Sequence, residues 1–227
     1  VLAVGQDNKT GQYYIVMEFI EGGNLRDLLQ IRKKLPPADA ARIIEESAQG
    51  LAHSYQRGMT HRDIKPTNIL IAVTNGQAKL VDFGLAEIAD GSPGAGGSGS
   101  DDKDDNGVTV DRTVDYAGLE KATGVKPGDV RSDLYFLGAV LFECVTGTPL
   151  MPATKDRVER MQARRYQDVE ATLQRNGPAL GVPPALLAVV ARAVRFDPNQ
   201  RYQTPAELVE ALRACRAEPK GEEPPAP

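Results

Sequence analysis

The sequence predicts an α+β fold, mainly helical, with its few strands near the start of the chain. Three observations predict it. Short β-branched and aromatic runs flank turn residues within the first 81 positions. Longer segments with apolar residues at helical spacing fill most of the remainder. The 227 residues are 41% hydrophobic and 26% charged, enough for one domain with a substantial core.

Residues 1–5 are apolar and read as a strand, 6–11 carry turn chemistry, and 13–17 (Tyr-Tyr-Ile-Val-Met) read as a second strand. The pair is expected as an antiparallel hairpin. Residues 18–23 break the pattern, and Asn24 is suited to cap a short helix through Ile31. Pro36-Pro37 precedes a long amphipathic helix carrying Ile43, Ile44, Ala48, Leu51, Ala52 and Tyr55, with Gly58 as its left-handed end. Residues 69–71 and 78–81 flank Asn75-Gly76, the signal of a two-residue hairpin. Residues 131–146 are almost wholly apolar, so that helix is buried, and Gly147-Thr148-Pro149 stops it. Residues 155–165 are charged and amphipathic. Pro183-Pro184 opens another helix, and Thr204-Pro205-Ala206-Glu207 reads as a capping box opening the last.

Composition excludes some functions. A net charge of −4 gives no basic field for nucleic acid or an anionic membrane. Cys144 and Cys215 form no disulfide framework or zinc pattern, which points to a reducing, cytoplasmic setting. No apolar run is long enough to span a bilayer, and no signal peptide is visible. Two stretches resist a packed core: 90–107, Gly/Ser-rich and then acidic, is expected to be disordered, and 217–227 reads as a Pro-rich tail or linker. The chain begins at Val1 in what reads as a strand, so a piece of a longer protein is expected.

The chemistry concentrates in His61-Arg62-Asp63-Ile64-Lys65-Pro66-Thr67-Asn68 and in Asp82-Phe83-Gly84. Asp63 could accept a proton from an attacking hydroxyl. Asn68 and Asp82 offer oxygen ligands of the kind Mg²⁺ takes. Lys65 could neutralise charge on a transferring phosphoryl group. The strands at 69–71 and 78–81 would bring Asn68 and Asp82 side by side, as two ligands of one metal require.

These motifs resemble those of the protein kinase family: His-Arg-Asp with Lys two places and Asn five places after the Asp, then Asp-Phe-Gly. The wording, with Arg131-Ser132-Asp133-Leu134-Tyr135, is most similar to bacterial eukaryotic-like (Hanks-type) serine/threonine kinases. The resemblance implies a kinase-like fold. Residues 1–23 would be the end of the N-terminal lobe and the hinge, and 24–216 a helical C-terminal lobe with 90–107 inside its activation segment. It implies ATP and Mg²⁺ as cofactors. Met17 would be the gatekeeper, Glu18 and Ile20 would lie on the adenine-binding hinge, and Leu70 under the adenine. Asp63, Lys65 and Thr113 would be catalytic, and Asn68 and Asp82 the metal ligands.

Supporting and regulatory roles follow in the same way. Asp133 would accept hydrogen bonds from catalytic-loop amides. Glu120, in Gly118-Leu119-Glu120 where Ala-Pro-Glu is usual, would form a buried ion pair with Arg201. Arg62 would pair with a phosphate on the activation segment, with Thr109 the first candidate acceptor and Ser98 and Ser100 behind it. The acidic run at 101–105 is the rival partner. Protein substrates and self-association for autophosphorylation are the implied partners, in a cytoplasmic protein whose parent is anchored to a membrane in many family members. The glycine-rich loop and N-lobe lysine are not in this chain, so the chain alone is expected to bind ATP weakly. The alternative is a catalytically inactive kinase fold (a pseudokinase) acting as a binding module. Intact Asp63, Asn68 and Asp82 weigh against it.

Overall fold

Two apolar runs near the start pair as antiparallel strands, β1 (Ala3–Gln6) and β2 (Tyr13–Val16), with Ala3 opposite Val16 and Gln6 opposite Tyr13. Asp7 shapes their turn by accepting from the amides of Lys9 at 2.8 Å and Thr10 at 2.7 Å. The computed structural model describes residues 2–83 and 112–217 of the chain.

A second, three-stranded sheet follows, in the order β3 (Gly22–Asn24), β4 (Ile69–Ala72), β5 (Ala78–Leu80), all antiparallel. β3 was not expected: two glycines carry no strand preference, and pairing with β4 supplies the structure. The β4–β5 connection is also longer than the two-residue turn that Asn75-Gly76 suggests. Ala72 N–H donates to Gln77 O at 3.0 Å, and Gly76 N–H closes back on Ala72 O at 2.8 Å. Asn75 serves through its side chain, which accepts from Gln77 N–H at 2.9 Å, and Gly76 takes the positive φ.

Eight α-helices also lie among the described residues. In α1 (Leu25–Arg32), the Asn24 side chain caps the first turn, accepting from Asp27 N–H at 2.9 Å. α2 (Pro37–Tyr55) buries Ile43, Ile44, Ala48 and Leu51 on one face, and Gly58 beyond its end has φ +72°. α3 (Arg112–Thr123) is helical where the sequence shows no helical period. α4 (Val130–Thr146) is buried along nearly its whole length, as its apolar run predicts. Asp129 caps it, accepting from Arg131 N–H at 2.9 Å, and Gly147 ends it at φ +76°.

The charged stretch that follows resolves into α5 (Arg157–Arg160) and α6 (Ala163–Asn176), and α7 (Pro184–Ala193) and α8 (Pro205–Ala217) start at prolines as expected. The capping box of α8 is displaced by one residue. Thr204 Oγ1 accepts from Glu207 N–H at 3.3 Å, but the Glu207 carboxylate accepts from Gln203 N–H, at 3.2 Å.

α2 packs on α4 and α8, and α4 packs on α7, so α4 lies in the middle of the helical core. Gly138 permits the last approach: a Cβ there would meet the Ala193 Cβ at 2.5 Å. Arg213 and Arg216 of α8 both reach Glu45 of α2, at 2.9 and 2.5 Å. No helix among the described residues is long and apolar enough to cross a membrane. The consequence for the site is mechanical: a rigid, buried α4 presents Asp133 from its first turn to the loop between α2 and β4.

Candidate active site

The loop after α2 carries the motif residues and depends on α4 for its shape. Arg62 is held at φ +62°, a backbone conformation uncommon for a residue with a side chain. Asp133 holds it there. Its carboxylate accepts from His61 N–H at 2.8 Å, from Arg62 N–H at 2.9 Å and from the Tyr116 hydroxyl at 2.9 Å. Tyr116, on α3, in turn accepts from Ile64 N–H at 3.1 Å. Burial pushes the Asp133 carboxyl up, while the His61 charge and these donors pull it down. Burial, with the Asp133 charge beside it, pushes the Tyr116 hydroxyl well up, so it remains a donor.

Inside this frame the Asp63 carboxylate is almost enclosed. Lys65 Nζ lies 3.1 Å from its Oδ2, and Asn68 Nδ2 donates to the same oxygen at 3.0 Å and to the Asp63 carbonyl at 2.9 Å. Pro66 starts a 3₁₀ turn at 66–68 that sets Asn68, its amide donating to Lys65 O at 3.0 Å. Two short ion and amide contacts on one oxygen fix the carboxylate's orientation.

The β4–β5 ribbon brings in the second motif. Val81 N–H donates to Asn68 O at 2.9 Å, so Asp82 follows immediately on the strand beside Asn68. The His61 ring links the two motifs, with Nε2 2.9 Å from Val81 O and its centroid 4.5 Å from that of Phe83. Asp82 is exposed and, like Arg62, sits at positive φ, +65°. The donor set fits a hard cation such as Mg²⁺. Asn68 engages its amide nitrogen with Asp63, which leaves its carbonyl oxygen as the group to offer, next to a solvent-facing carboxylate.

The other expected site residues fall as follows. Glu18 makes an ion pair with Lys79 of β5 at 2.6 Å, and Lys79 stands opposite Leu70 of β4. Leu70 and Ile20 are half-buried and Met17 is exposed. Arg62 is half-buried, and its charge acts on Glu120. Thr109, Gly84 and the 90–107 insert lie outside the described residues, as does the 218–227 stretch, and Thr113 is described only as backbone in the first turn of α3.

One expectation is overturned. Glu120 and Arg201 do not pair. Arg201 donates to the carbonyls of Arg195 at 2.7 Å, Phe196 at 3.1 Å and Arg131 at 3.1 Å, and stacks over the Tyr135 ring at 4.9 Å. Those carbonyls at the end of α7 and the start of α4 occupy each of its nitrogens. Glu120 accepts from Gly128 N–H at 3.0 Å, and burial pushes its carboxyl up to about 6. The buried ion pair of this region is Asp115 with Arg160, bidentate at 3.0 and 2.9 Å, with 3% and 5% of the two side chains exposed. Tyr166 adds a hydroxyl on the Asp115 and Arg160 carbonyls, at 2.9 and 2.8 Å. Tyr116, Asp115 and Arg160 are therefore site-building residues that motif spacing alone did not assign. A Tyr one helical position after an Asp, in a stretch with no apolar period, was the available signal.

The chain matches the protein kinase domain family over residues 4–212. It belongs to the protein kinase family. Among its relatives, serine/threonine-protein kinase PknB of Mycobacterium tuberculosis is 38% identical over 213 residues, covering 91% of this chain and 31% of the relative. Serine/threonine-protein kinase PknD of the same species is 36% identical over 198 residues, covering 87% and 28%. PknB of Mycolicibacterium smegmatis is 36% identical over 200 residues, covering 86% and 29%. The chain thus spans about a third of the length of the curated relatives it matches, and its affinity is with bacterial Hanks-type kinases.

Proposed function

We propose that the protein transfers the γ-phosphate of Mg·ATP to serine and threonine hydroxyls of protein substrates, as part of signalling. The observation that carries this is the Asp63 carboxylate, its Oδ2 fixed by Lys65 and Asn68 within a loop pinned to α4. Asp63 orients the substrate hydroxyl and takes its proton as the oxygen attacks phosphorus in line. Lys65 offsets charge on the transferring group, and Thr113 steadies Asp63 and Lys65 from the segment side. Asn68 and Asp82 would hold Mg²⁺, which would supply positive charge against the phosphates of ATP. The backbone at Glu18 and Ile20 pairs with adenine, with Met17 behind it and Leu70 beneath.

Regulation follows from the same residues. Arg62 receives a phosphate placed on Thr109. Self-association allows one copy to phosphorylate another. Residues 1–23 act as the lobe edge and hinge, 24–216 as the C-terminal lobe, and 217–227 as a linker, in a protein that works in the cytoplasm, where ATP is.

The test is the full-length protein incubated with Mg·ATP and read by phosphoamino-acid analysis. Phosphoserine or phosphothreonine, dependent on Mg²⁺, is expected. ATP binding with no transfer to any protein hydroxyl would favour an inactive binding module instead.

A further inference from the structure

Arg165, in the first turn of α6, is half-buried, and the carboxylate near its guanidinium, Asp115, is shared with Arg160. Only 9% of its side chain is exposed, and its Nε–H meets no hydrogen-bond acceptor among the described residues. Asp115 Oδ1 is 4.0 Å away, but Arg160 engages both Asp115 oxygens. The other nearby acid, Glu143, is held by Arg26 at 2.5 Å. Arg165 Nη2 donates to the Pro152 carbonyl at 2.8 Å, which satisfies a donor but not a charge. A buried guanidinium whose neighbouring acids are engaged elsewhere is unfavourable until an anion reaches it.

The space for an anion is there. Arg26, Asp115, Glu143, Thr154, Arg160 and Arg165 surround a cavity of about 100 Å³, three guanidinium groups to two carboxylates. At about 30 Å³ per water that is room for a carboxylate or a phosphate group. Arg26 and Arg165 also line a groove of about 1010 Å³ between α1, the 147–153 loop and α6. Both flanks of this region touch the catalytic loop. Asp115 precedes Tyr116, which binds Ile64 N–H, and α1 packs on the 66–68 turn.

We propose that this cavity is a subsite for an acidic side chain of the protein substrate, a carboxylate or a phosphorylated residue, received by the Arg165 guanidinium. The proposal rests on the protein being a kinase of protein hydroxyls. The Nε–H and an Nη–H of one guanidinium form the fork that carboxylates and phosphates accept in two parallel bonds. Arg26 and Arg160, already paired, keep competing cations out of the pocket.

Two measurements on the full-length protein test it. In protein labelled with ¹⁵N-arginine, the Arg165 Nε–H resonance, assigned by its loss in Arg165→Lys, should shift saturably with inorganic phosphate or acetate. Absence of a saturable shift overturns the anion site. On arrays of Ser-centred peptides, carrying Asp, Glu or phosphoserine at each flanking position, one position should favour the acid about tenfold, the worth of a charge-assisted hydrogen bond. In Arg165→Gln that preference should fall below about twofold, with part of it kept in Arg165→Lys. Asp and Glu favoured over phosphoserine names the carboxylate as the ligand, and the reverse names a primed substrate. Undiminished preference in Arg165→Gln overturns the subsite. Phosphorylation of no peptide alongside an intact resonance shift overturns the assignment to substrate and the kinase reading together, and leaves the anion site standing.

Discussion

Replacing Glu120 with glutamine should make the protein more stable at neutral pH. Glu120 is 4% exposed, accepts from Gly128 N–H at 3.0 Å, and has no ion pair with Arg201. Burial lifts its carboxyl from 4.5 to about 6, and the Gly128 amide and the Arg62 charge offset only part of that. A carboxyl raised in the folded state holds its proton more tightly there than in the unfolded chain. Its contribution to stability is therefore fully present below about 4.5 and is lost as pH rises through about 6. At about 1.4 kcal/mol for each pH unit, the ionised side chain costs the fold about 2 kcal/mol above that window. Glu120→Gln keeps an oxygen for Gly128 and buries no charge. Urea unfolding should give a gain of about 1–2 kcal/mol at pH 7.5 and about none at pH 4.5. A loss of about 3–5 kcal/mol at pH 7.5 would refute this reasoning, since that is the effect of breaking a buried ion pair.

Asp133→Asn turns one acceptor into a donor facing the His61 or Arg62 amide, so unfolding free energy should fall by about 3 kcal/mol and phosphate transfer with it. A loss under about 1 kcal/mol in a urea titration speaks against α4 as the loop's anchor. Tyr116→Phe leaves Ile64 N–H without its acceptor, which should cost about 1–3 kcal/mol and lower kcat more than it raises KM for ATP. The opposite split in steady-state kinetics would make Tyr116 a binding residue. Gly147→Ala puts a Cβ 2.6 Å from Lys33 O at φ +76°, and should lower stability by more than about 1 kcal/mol; an unchanged Tm would contradict that.

Much of this molecule was legible in its residues, for local reasons. α2, α4, α7 and α8 announce themselves by apolar spacing, and α2, α7 and α8 also by prolines at their starts, signals that act within one or two turns of chain. The Asp63–Lys65–Asn68 cluster was legible because three residues close in sequence also meet in space. What escaped depends on distant partners. β3 exists because β4 pairs with it, not because of Gly22-Gly23. α3 forms where Thr113, Val114 and Gly118 disfavour it, because Tyr116, Leu119 and the Asp115–Arg160 pair are buried against other helices. The Glu120–Arg201 pairing failed for the same reason: charge and spacing suggest partners, but no sequence shows that three carbonyls already surround a guanidinium.

In the function proposed, Asp63 positions and deprotonates the attacking hydroxyl. Single-turnover phosphate transfer by full-length Asp63→Asn, beside its affinity for Mg·ATP, tests it most directly. Asparagine fills the same space and still offers Asn68 Nδ2 an acceptor, so the fold and nucleotide binding should persist while transfer falls by at least about a hundredfold. Transfer at the wild-type rate, with Mg·ATP bound, would contradict the claim.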